Sequence, residues 1–319
     1  MKKKRILFIV NPFSGLGKQR MFKSLAAKEL SRSVWSWDIA LTKHAGHATS
    51  LSSEAVGHYD IVVAVGGDGT VNEVGSGLIG TDTVMGIIPA GSGNGLARHL
   101  NIPLKVNRAL QMFNQYNVMS IDALKVGHRY SLNVSGVGFD GHISHLFAKA
   151  TQRGPLGYLR LITREFSKYK SKQYRLVIDG NVIDREAFLI SFANSTQYGN
   201  NAHIAPGAKI DDGWIDVCII RDFPKVEAPA LLISLFDQTI DQSKYDEIIL
   251  GRHITVECDE PLMPHLDGEP LDHEGSLSIE MMPLALKVMV PNQEFLKNPV
   301  ISQIQDLMPD FSALTRLKI

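Results

Sequence analysis

Three loops rich in glycine, "NPFSGLG" (11–17), "GGDGT" (66–70) and "PAGSGNG" (89–95), each close an apolar run and open a stretch with helical spacing. No other feature constrains the fold as much. The runs "RILFIV", "SWDIALT", "DIVVAV" and "VMGIIPA" read as strands, and "QRMFKSLAAKELSR", "GHATSLSSEAVGHY", "TVNEVGSGLIG", "GNGLARHL" and "VNRALQMFNQY" as helices. Strand and helix in alternation predict a doubly wound α/β unit: a parallel sheet covered on both faces, with ligands at the carboxyl ends of its strands. All three loops fall at such ends.

From about Ser120 the rhythm changes. "SIDALKVG", "YSLNVSGVGF", "YRLVID", "EAFLISFANS", "WIDVCII", "HITVEC", "SLSIEM" and "ALKVMVP" are short strand-like runs between turn residues, with helical stretches only near 155–170 and at "APALLISLFDQTI". A chain of 319 residues exceeds what one core usually serves. The expectation is therefore an α/β nucleotide-binding domain over 1–121, an antiparallel β-sandwich over 122–291, and a tail over 292–319 with one or two short helices.

Lys plus Arg (33) balances Asp plus Glu (33), which speaks against a nucleic-acid partner. Cys218 and Cys258 are far apart, so neither a disulfide framework nor a zinc site is expected. The apolar run in "MKKKRILFIVNP" is too short for a signal peptide, and no run approaches the ~18 apolar residues of a membrane span. The expected location is the cytoplasm.

Glycine-rich turns ahead of helices bring backbone N–H groups to phosphate. Gly66, Gly67 and Gly69 form one wall of such a cradle, and Gly91, Gly93 and Gly95 with the Ser92 hydroxyl form another. Ser14, Gly15 and Gly17 form a third. None has the Walker spacing with its Lys-Ser/Thr pair, and "GSGNG" is not a dinucleotide fingerprint. Asp68 has the wrong charge for an anion site. It either works through a divalent cation or a substrate proton, both uses that belong to phosphoryl transfer, or it caps the helix that follows.

In this order and at these intervals, "NPFSG", "GGDGTVNEV" and "IIPAGSGNGLAR" resemble the diacylglycerol kinase catalytic domain family, over about 5–292. That family includes bacterial lipid kinases, sphingosine kinases and ceramide kinases. The resemblance implies a nucleotide-binding α/β domain followed by a β-sandwich, ATP as phosphoryl donor and Mg²⁺ as cofactor. By position it implies that ATP is bound by Asn11, Ser14, Gly15, Thr42, Gly66, Gly67, Asp68, Gly69, Thr70, Val71, Asn72, Gly91, Ser92 and Asn94. In "AKIDDGWIDV" it implies a structural magnesium held by the Asp212 side chain and by backbone oxygens of Lys209 and Trp214. In "HLDGEPL" it implies Glu269 as general base. On spacing alone, both Asp-Gly pairs also suit hairpin turns. Glu269 and Asp68 both remain candidates for the base.

Weaker signals complete the reading. His142 and His145 in "GHISHL" have metal-like spacing but no thiol or further histidine close by. Asp140 matches a family position near the lipid pocket. Arg98 follows the third loop, where it either neutralises phosphate or lies on a helix surface. The stretch Lys149 to Arg175 holds eight basic residues against one acid, Glu165, interleaved with Tyr158, Leu161, Phe166 and Tyr169. That composition suits either an anionic membrane surface or a solvated helix with one face on the β domain. The chain is thus expected to be an ATP-dependent lipid kinase acting on diacylglycerol or a sphingoid- or ceramide-like lipid, peripheral on the inner membrane face. An NAD kinase-like enzyme and a non-catalytic relative are the competitors. A homodimer stays open. Many bacterial members read Gly-Thr-x-Asn-Asp at the third loop, and "GSGNG" departs from that toward the sphingosine and ceramide kinase form.

Overall fold

A computed structural model describes residues 3–14, 19–31, 33–149 and 155–297. Gly15 and Gly17, Arg153 and the tail beyond residue 297 lie outside the described residues.

The first third alternates as its periodicity predicts: β1 (Lys4–Val10), α1 (Gln19–Glu29), β2 (Trp35–Leu41), α2 (His47–Ala55), β3 (Ile61–Gly66), α3 (Asp68–Ser76), β4 (Val84–Pro89), α4 (Gly95–His99) and α5 (Val106–Met112). The four strands pair in parallel in the order β2-β1-β3-β4. Every residue of β3, "IVVAVG", is buried, as befits a central parallel strand covered on both faces. Phe8, Phe22, Val63, Ile87 and Phe113 lie in its core.

The chain then enters β5 (Tyr116–Val126), β6 (Arg129–Ser131), β7 (Val134–Gly138), α6 (Phe139–Lys149), α7 (Pro155–Phe166), β8 (Lys172–Ile178), β9 (Asn181–Ala193), β10 (Gln197–Gly199), β11 (Ala202–His203) and β12 (Ile215–Arg221). After α8 (Ala228–Phe236) come β13 (Asp246–Gly251), β14 (His253–Glu257), β15 (His265–Leu266), β16 (Glu269–Pro270), β17 (Leu277–Pro291) and α9 (Gln293–Lys297). These strands are antiparallel to one another, and β8 and β14 alternate buried with exposed positions, as strands with one wet face do. One apolar cluster holds Leu176, Ile190, Val217 and Ile254, and another holds Phe139, Phe188 and Cys218.

Two features position the site. First, β5 runs without a break through residues 121 and 122, and it starts at Tyr116, ahead of the strand read from Ser120. Second, β17 pairs along β5 and meets β4 at Val288 and Met85, so the parallel and antiparallel strands form one continuous sheet. The end of the β region thus returns to the first strands and holds the two halves together. Cys258 falls just after β14 and Cys218 lies within β12; both are free thiols. The described start of the tail, α9, buries Phe295, whose ring lies 4.8 Å from the Arg108 guanidinium.

Candidate active site

The second and third glycine loops meet backbone to backbone. A β-carbon on Gly91 would stand 2.5 Å from the Gly67 Cα, closer than side chains ever approach, so Gly91 requires glycine, and one on Gly67 would stand a tight 3.2 Å from the Gly91 Cα. Asn94, left-handed at φ 53°, closes the third loop on itself: its Oδ1 accepts the Gly91 N–H and its Nδ2 donates to the Gly91 carbonyl.

Asp68 joins these loops. Its Oδ2 accepts the Asn94 N–H at 2.9 Å and its Oδ1 the Gly95 N–H at 2.8 Å. It therefore satisfies open N–H groups at the start of α4, not of its own helix α3, where no side chain among the described residues caps the N-terminus. Burial pushes the Asp68 carboxyl above the usual carboxylate range, and the Asn94 and Gly95 N–H groups offset this only in part. A β-carbon on Gly93 would come within 2.7 Å of Asp68 Oδ2, so this glycine too makes room for the brace.

The first loop leans on the second. Asn11 Nδ2 donates to Thr70 Oγ1 at 3.2 Å, Asn11 Oδ1 accepts the Phe13 N–H, and Ser14 Oγ donates to the Asn11 carbonyl. Thr42 is buried at the end of β2, its N–H bonded to Val10 O. Ser92 is exposed in the third loop. Thr70, Val71 and Asn72, expected beside ATP, are buried. Glu73 escaped the sequence reading: its carboxylate accepts the Gly46 and Ala48 N–H groups and so caps α2 from α3.

The turn "HLDGE" brings the β region to these loops. Asp267, left-handed at φ 49°, accepts four hydrogen bonds: from Asn72 Nδ2 (2.8 Å), Ser131 Oγ (2.6 Å), and the N–H groups of Leu132 and Asn133 (3.0 Å each). Helix α6 grips the other side, with Ser144 Oγ donating to Gly268 O and His145 Nε2 bonded to Pro264 O. His265 Nδ1 accepts the Gly268 N–H, which puts the ring proton on Nε2, 3.0 Å from Asp140 Oδ2. Tyr198 donates to that same oxygen at 3.1 Å. His142 lies 3.4 Å from Glu165 and His145 bonds to Pro264 O, so both histidines of "GHISHL" take part in the packing of α6, and among the described residues no group of three metal-ligating side chains includes them. Asp140 is likewise committed to His265, Tyr198 and the Gly141 N–H.

Glu269 is left exposed by this grip, at the end of the turn. Its side chain reaches the "GGDGT" loop: a β-carbon on Gly69 would stand 3.1 Å from Glu269 Oε1. The third loop is also held from the β region, since Asn200 N–H donates to Gly93 O and Arg98 bridges Gly93 O and Asn201 Oδ1. Arg98 therefore serves the loop's shape.

The "DDG" turn lies farther along. Buried Asp122 organises it, accepting the Gly213 N–H at 2.7 Å and the Leu284 N–H at 2.6 Å. Asp212 is exposed and accepts the Trp214 N–H at 3.0 Å, and Lys209 is exposed beside it in sequence. Burial and then the Asp212 charge push the Asp216 carboxyl up to about 6, and burial, with added repulsion from Asp212 and Asp211, raises Asp122. Hard oxygens under mutual repulsion fit a divalent cation such as Mg²⁺. Among the described residues no group of three His, Cys, Asp or Glu side chains converges, so a cation here would depend on backbone oxygens.

Residues 5–126 match the family model for the diacylglycerol kinase catalytic domain, and residues 133–290 that for the YegS C-terminal NAD kinase beta sandwich-like domain. A protein of Chromohalobacter salexigens named "Probable lipid kinase YegS-like" is 30% identical over 236 residues, covering 72% of this chain and 76% of that protein. A diacylglycerol kinase of Staphylococcus epidermidis is 25% identical over 324 residues, covering 97% and 99%. The crystal structure of a diacylglycerol kinase from Bacillus anthracis superposes with a TM-score of 0.71 over 92% of this chain and 99% of that one, at 22% identity, which is a likeness of fold.

Proposed function

The chain belongs to the diacylglycerol kinase catalytic domain family, and on that premise we propose that it is an ATP-dependent lipid kinase. It would move the γ-phosphoryl group of ATP to a lipid hydroxyl. The observation that carries this reading is the approach of Glu269, from the β region, to Gly69 of the "GGDGT" loop. It brings a carboxylate without a hydrogen-bond commitment among the described residues to a loop suited to phosphate.

In this reading the three loops bind ATP, with Asn11, Ser14, Gly15, Thr42, Gly66 to Asn72, Gly91, Ser92 and Asn94 forming or supporting the cradle. Glu269 takes the hydroxyl proton as the lipid oxygen bonds to the γ-phosphorus. The bond from that phosphorus to the β–γ bridging oxygen breaks, and ADP leaves. Glu269 is preferred over Asp68 as base because both Asp68 oxygens already accept N–H groups. Asp68 acts by holding the third loop against the second. Most of the acceleration is positioning and charge neutralisation, as in other phosphoryl transfers. Mg²⁺ bound with the nucleotide would supply the neutralising charge, and Asp212 with backbone oxygens of Lys209 and Trp214 would hold a structural ion.

The acceptor is a diacylglycerol or a sphingoid- or ceramide-like lipid; "GSGNG" at the third loop favours the latter pair. A kinase of a membrane lipid meets its acceptor at the bilayer surface, and we place the enzyme peripherally on the inner membrane face; among the described residues no helix is long and apolar enough to cross a membrane. The test is incubation with γ-labelled ATP and a total lipid extract, beside diacylglycerol, sphingosine, ceramide and NAD as single acceptors. Label in a lipid on thin-layer plates supports the reading. Label in NADP would move the chain to NAD kinase chemistry, and no label in any product would leave a binding protein.

A further inference from the structure

Helix α8 reads "APALLISLF" and holds no charged residue. Leu231 and Leu235, one turn apart, pack on the cluster of Phe139, Phe188 and Cys218. The opposite face is just as apolar: Leu232 is 55% exposed, Ile233 63% and Phe236 51%, and Val226 just ahead of the helix is 83% exposed. Pro229, Leu232, Ile233 and Phe236 follow the i, i+3, i+4, i+7 spacing of a single stripe. Surface helices normally turn charge to water, and a contiguous apolar face left exposed marks a binding surface.

The surroundings say what binds. Phe223, just before α8, lies 6.1 Å from Phe166, 5.1 Å from Phe188 and 5.9 Å from Tyr245, centroid to centroid. This joins the start of α8, the end of α7 and the approach to β13 into one corner. Exposed Lys168, Lys170, Arg221, Lys225 and Lys244 rim it. Lys225 Nζ donates to Ser167 O and the Arg221 guanidinium to Lys244 O, which ties the rim together. Among the described residues Lys168, Lys170, Lys225 and Lys244 form no ion pair with a carboxylate. Of the nearby acids, Glu165 is held by Arg164, Glu247 is paired with Arg185 and also feels the Arg221 charge, Asp222 accepts the Ser171 hydroxyl, and Asp237 accepts the Thr239 hydroxyl; Asp246 is held towards its neutral form by burial, and Glu227 and Asp241 also lie nearby.

We propose that α8 is the element that docks this protein on an anionic bilayer. Val226, Leu232, Ile233 and Phe236 enter the acyl boundary while the lysine rim meets lipid phosphates. A two-fold contact with a second copy would instead set the lysine rim against itself, which disfavours that occupant. The lipid-kinase reading supplies the reason to visit a bilayer, but the surface argument does not depend on it. Docking would also lie close to the nucleotide loops. Helix α8 packs on β11, and the β10–β11 turn holds Gly93 through Asn200.

The experiment sediments the full chain, without nucleotide, with vesicles of phosphatidylglycerol and phosphatidylcholine at low and high salt. The triple variant Leu232→Ser/Ile233→Ser/Phe236→Ser should lose at least 10-fold in partitioning at both salts while keeping the wild-type Tm, because these side chains are outside the core. Lys168→Gln/Lys170→Gln/Lys225→Gln should lose binding mainly at low salt. Ile233→Trp should shift its fluorescence to the blue only when vesicles are added. Equal binding by wild type and the serine variant, or no binding by wild type, overturns the proposal. So does a shift without vesicles: if it grows with protein concentration the occupant is a second copy, and if it does not the chain covers its own helix. Vesicle binding without phosphate transfer would reject the lipid-kinase reading and leave this proposal standing.

Discussion

Asn72 Nδ2 lies 2.8 Å from Asp267 Oδ2, across 195 residues of chain, and this bond locks helix α3 to the turn that carries Glu269. Asn72 also donates to Tyr130 O, so its amide ties α3 to the β region at two points. The Glu269 carboxylate beside the "GGDGT" loop is therefore placed by a largely buried polar network, not by its own contacts.

That network gives the first prediction. Asp267→Asn replaces one acceptor oxygen with an NH2 donor that faces donors already in place, and should destabilise the fold by about 1–3 kcal/mol, the scale of unsatisfied buried groups. Asn72→Ala should cost about 1–2 kcal/mol alone and less in an Asp267→Ala background, since the shared bond is then already gone. Urea unfolding of the four proteins checks this; fully additive losses would mean that the two residues act separately.

Asp68→Asn leaves one N–H of the third loop facing an amide donor. The expected outcome is a loss of about 1–3 kcal/mol in stability together with weaker ATP binding, while turnover at saturating ATP stays above that of Glu269→Gln. Calorimetric ATP titration and initial rates decide it. Unchanged stability and ATP affinity with a turnover as low as that of Glu269→Gln would make Asp68 the base.

Gly69 and Glu269 should behave as a coupled pair. Glu269→Gln should lower turnover ~10²-fold or more with ATP affinity unchanged, the usual scale for a general base. Gly69→Ala puts a methyl group 3.1 Å from Glu269 Oε1 and should displace that carboxylate, lowering turnover roughly 10-fold. In a Glu269→Gln background the alanine should cost little more. A normal rate for Glu269→Gln would remove the base role and leave "HLDGE" as a hairpin turn.

A titration away from the site shapes stability. Both carboxylate oxygens of Asp246 are buried, and burial, offset only in part by the Glu247 N–H, pushes the carboxyl up to about 7. A raised folded pKa means the neutral form is favoured on folding, so the contribution is whole below about pH 4 and is lost as pH rises through 7. Asp246→Asn should flatten this fall by on the order of 2–4 kcal/mol between pH 4 and pH 8. Thermal melts across that range test it, and an unchanged slope would reject it.

The parts of the fold legible in the sequence are those with short-range causes. The all-apolar "IVVAVG" could only be a covered strand, and the glycine loops had to fall at strand ends. The alternation in β8 and β14 likewise announced one wet face. Less legible were the roles inside the loops. Gly67, Gly91 and Gly93 read as openings for phosphate, and they also serve the contact between two loops and the room that Asp68 needs. "GHISHL" carried a metal-like spacing, yet Ser144 and His145 grip the turn that carries Glu269. Nothing near Glu73 in sequence announced that it caps α2.

Periodicity and turn chemistry act over a few residues, so the alternation of strands, turns and helices could be read along the chain. So could the list of carboxylates available to the site. What each one is free to do depends on contacts made in three dimensions. Asp68 meets the N–H groups of Asn94 and Gly95, Asp267 meets four donors and Asp140 meets His265 and Tyr198, while Glu269 is left to face the loop. A carboxylate's freedom is set by the donors that surround it in space, and those donors come from helices, strands and loops as much as 195 residues away.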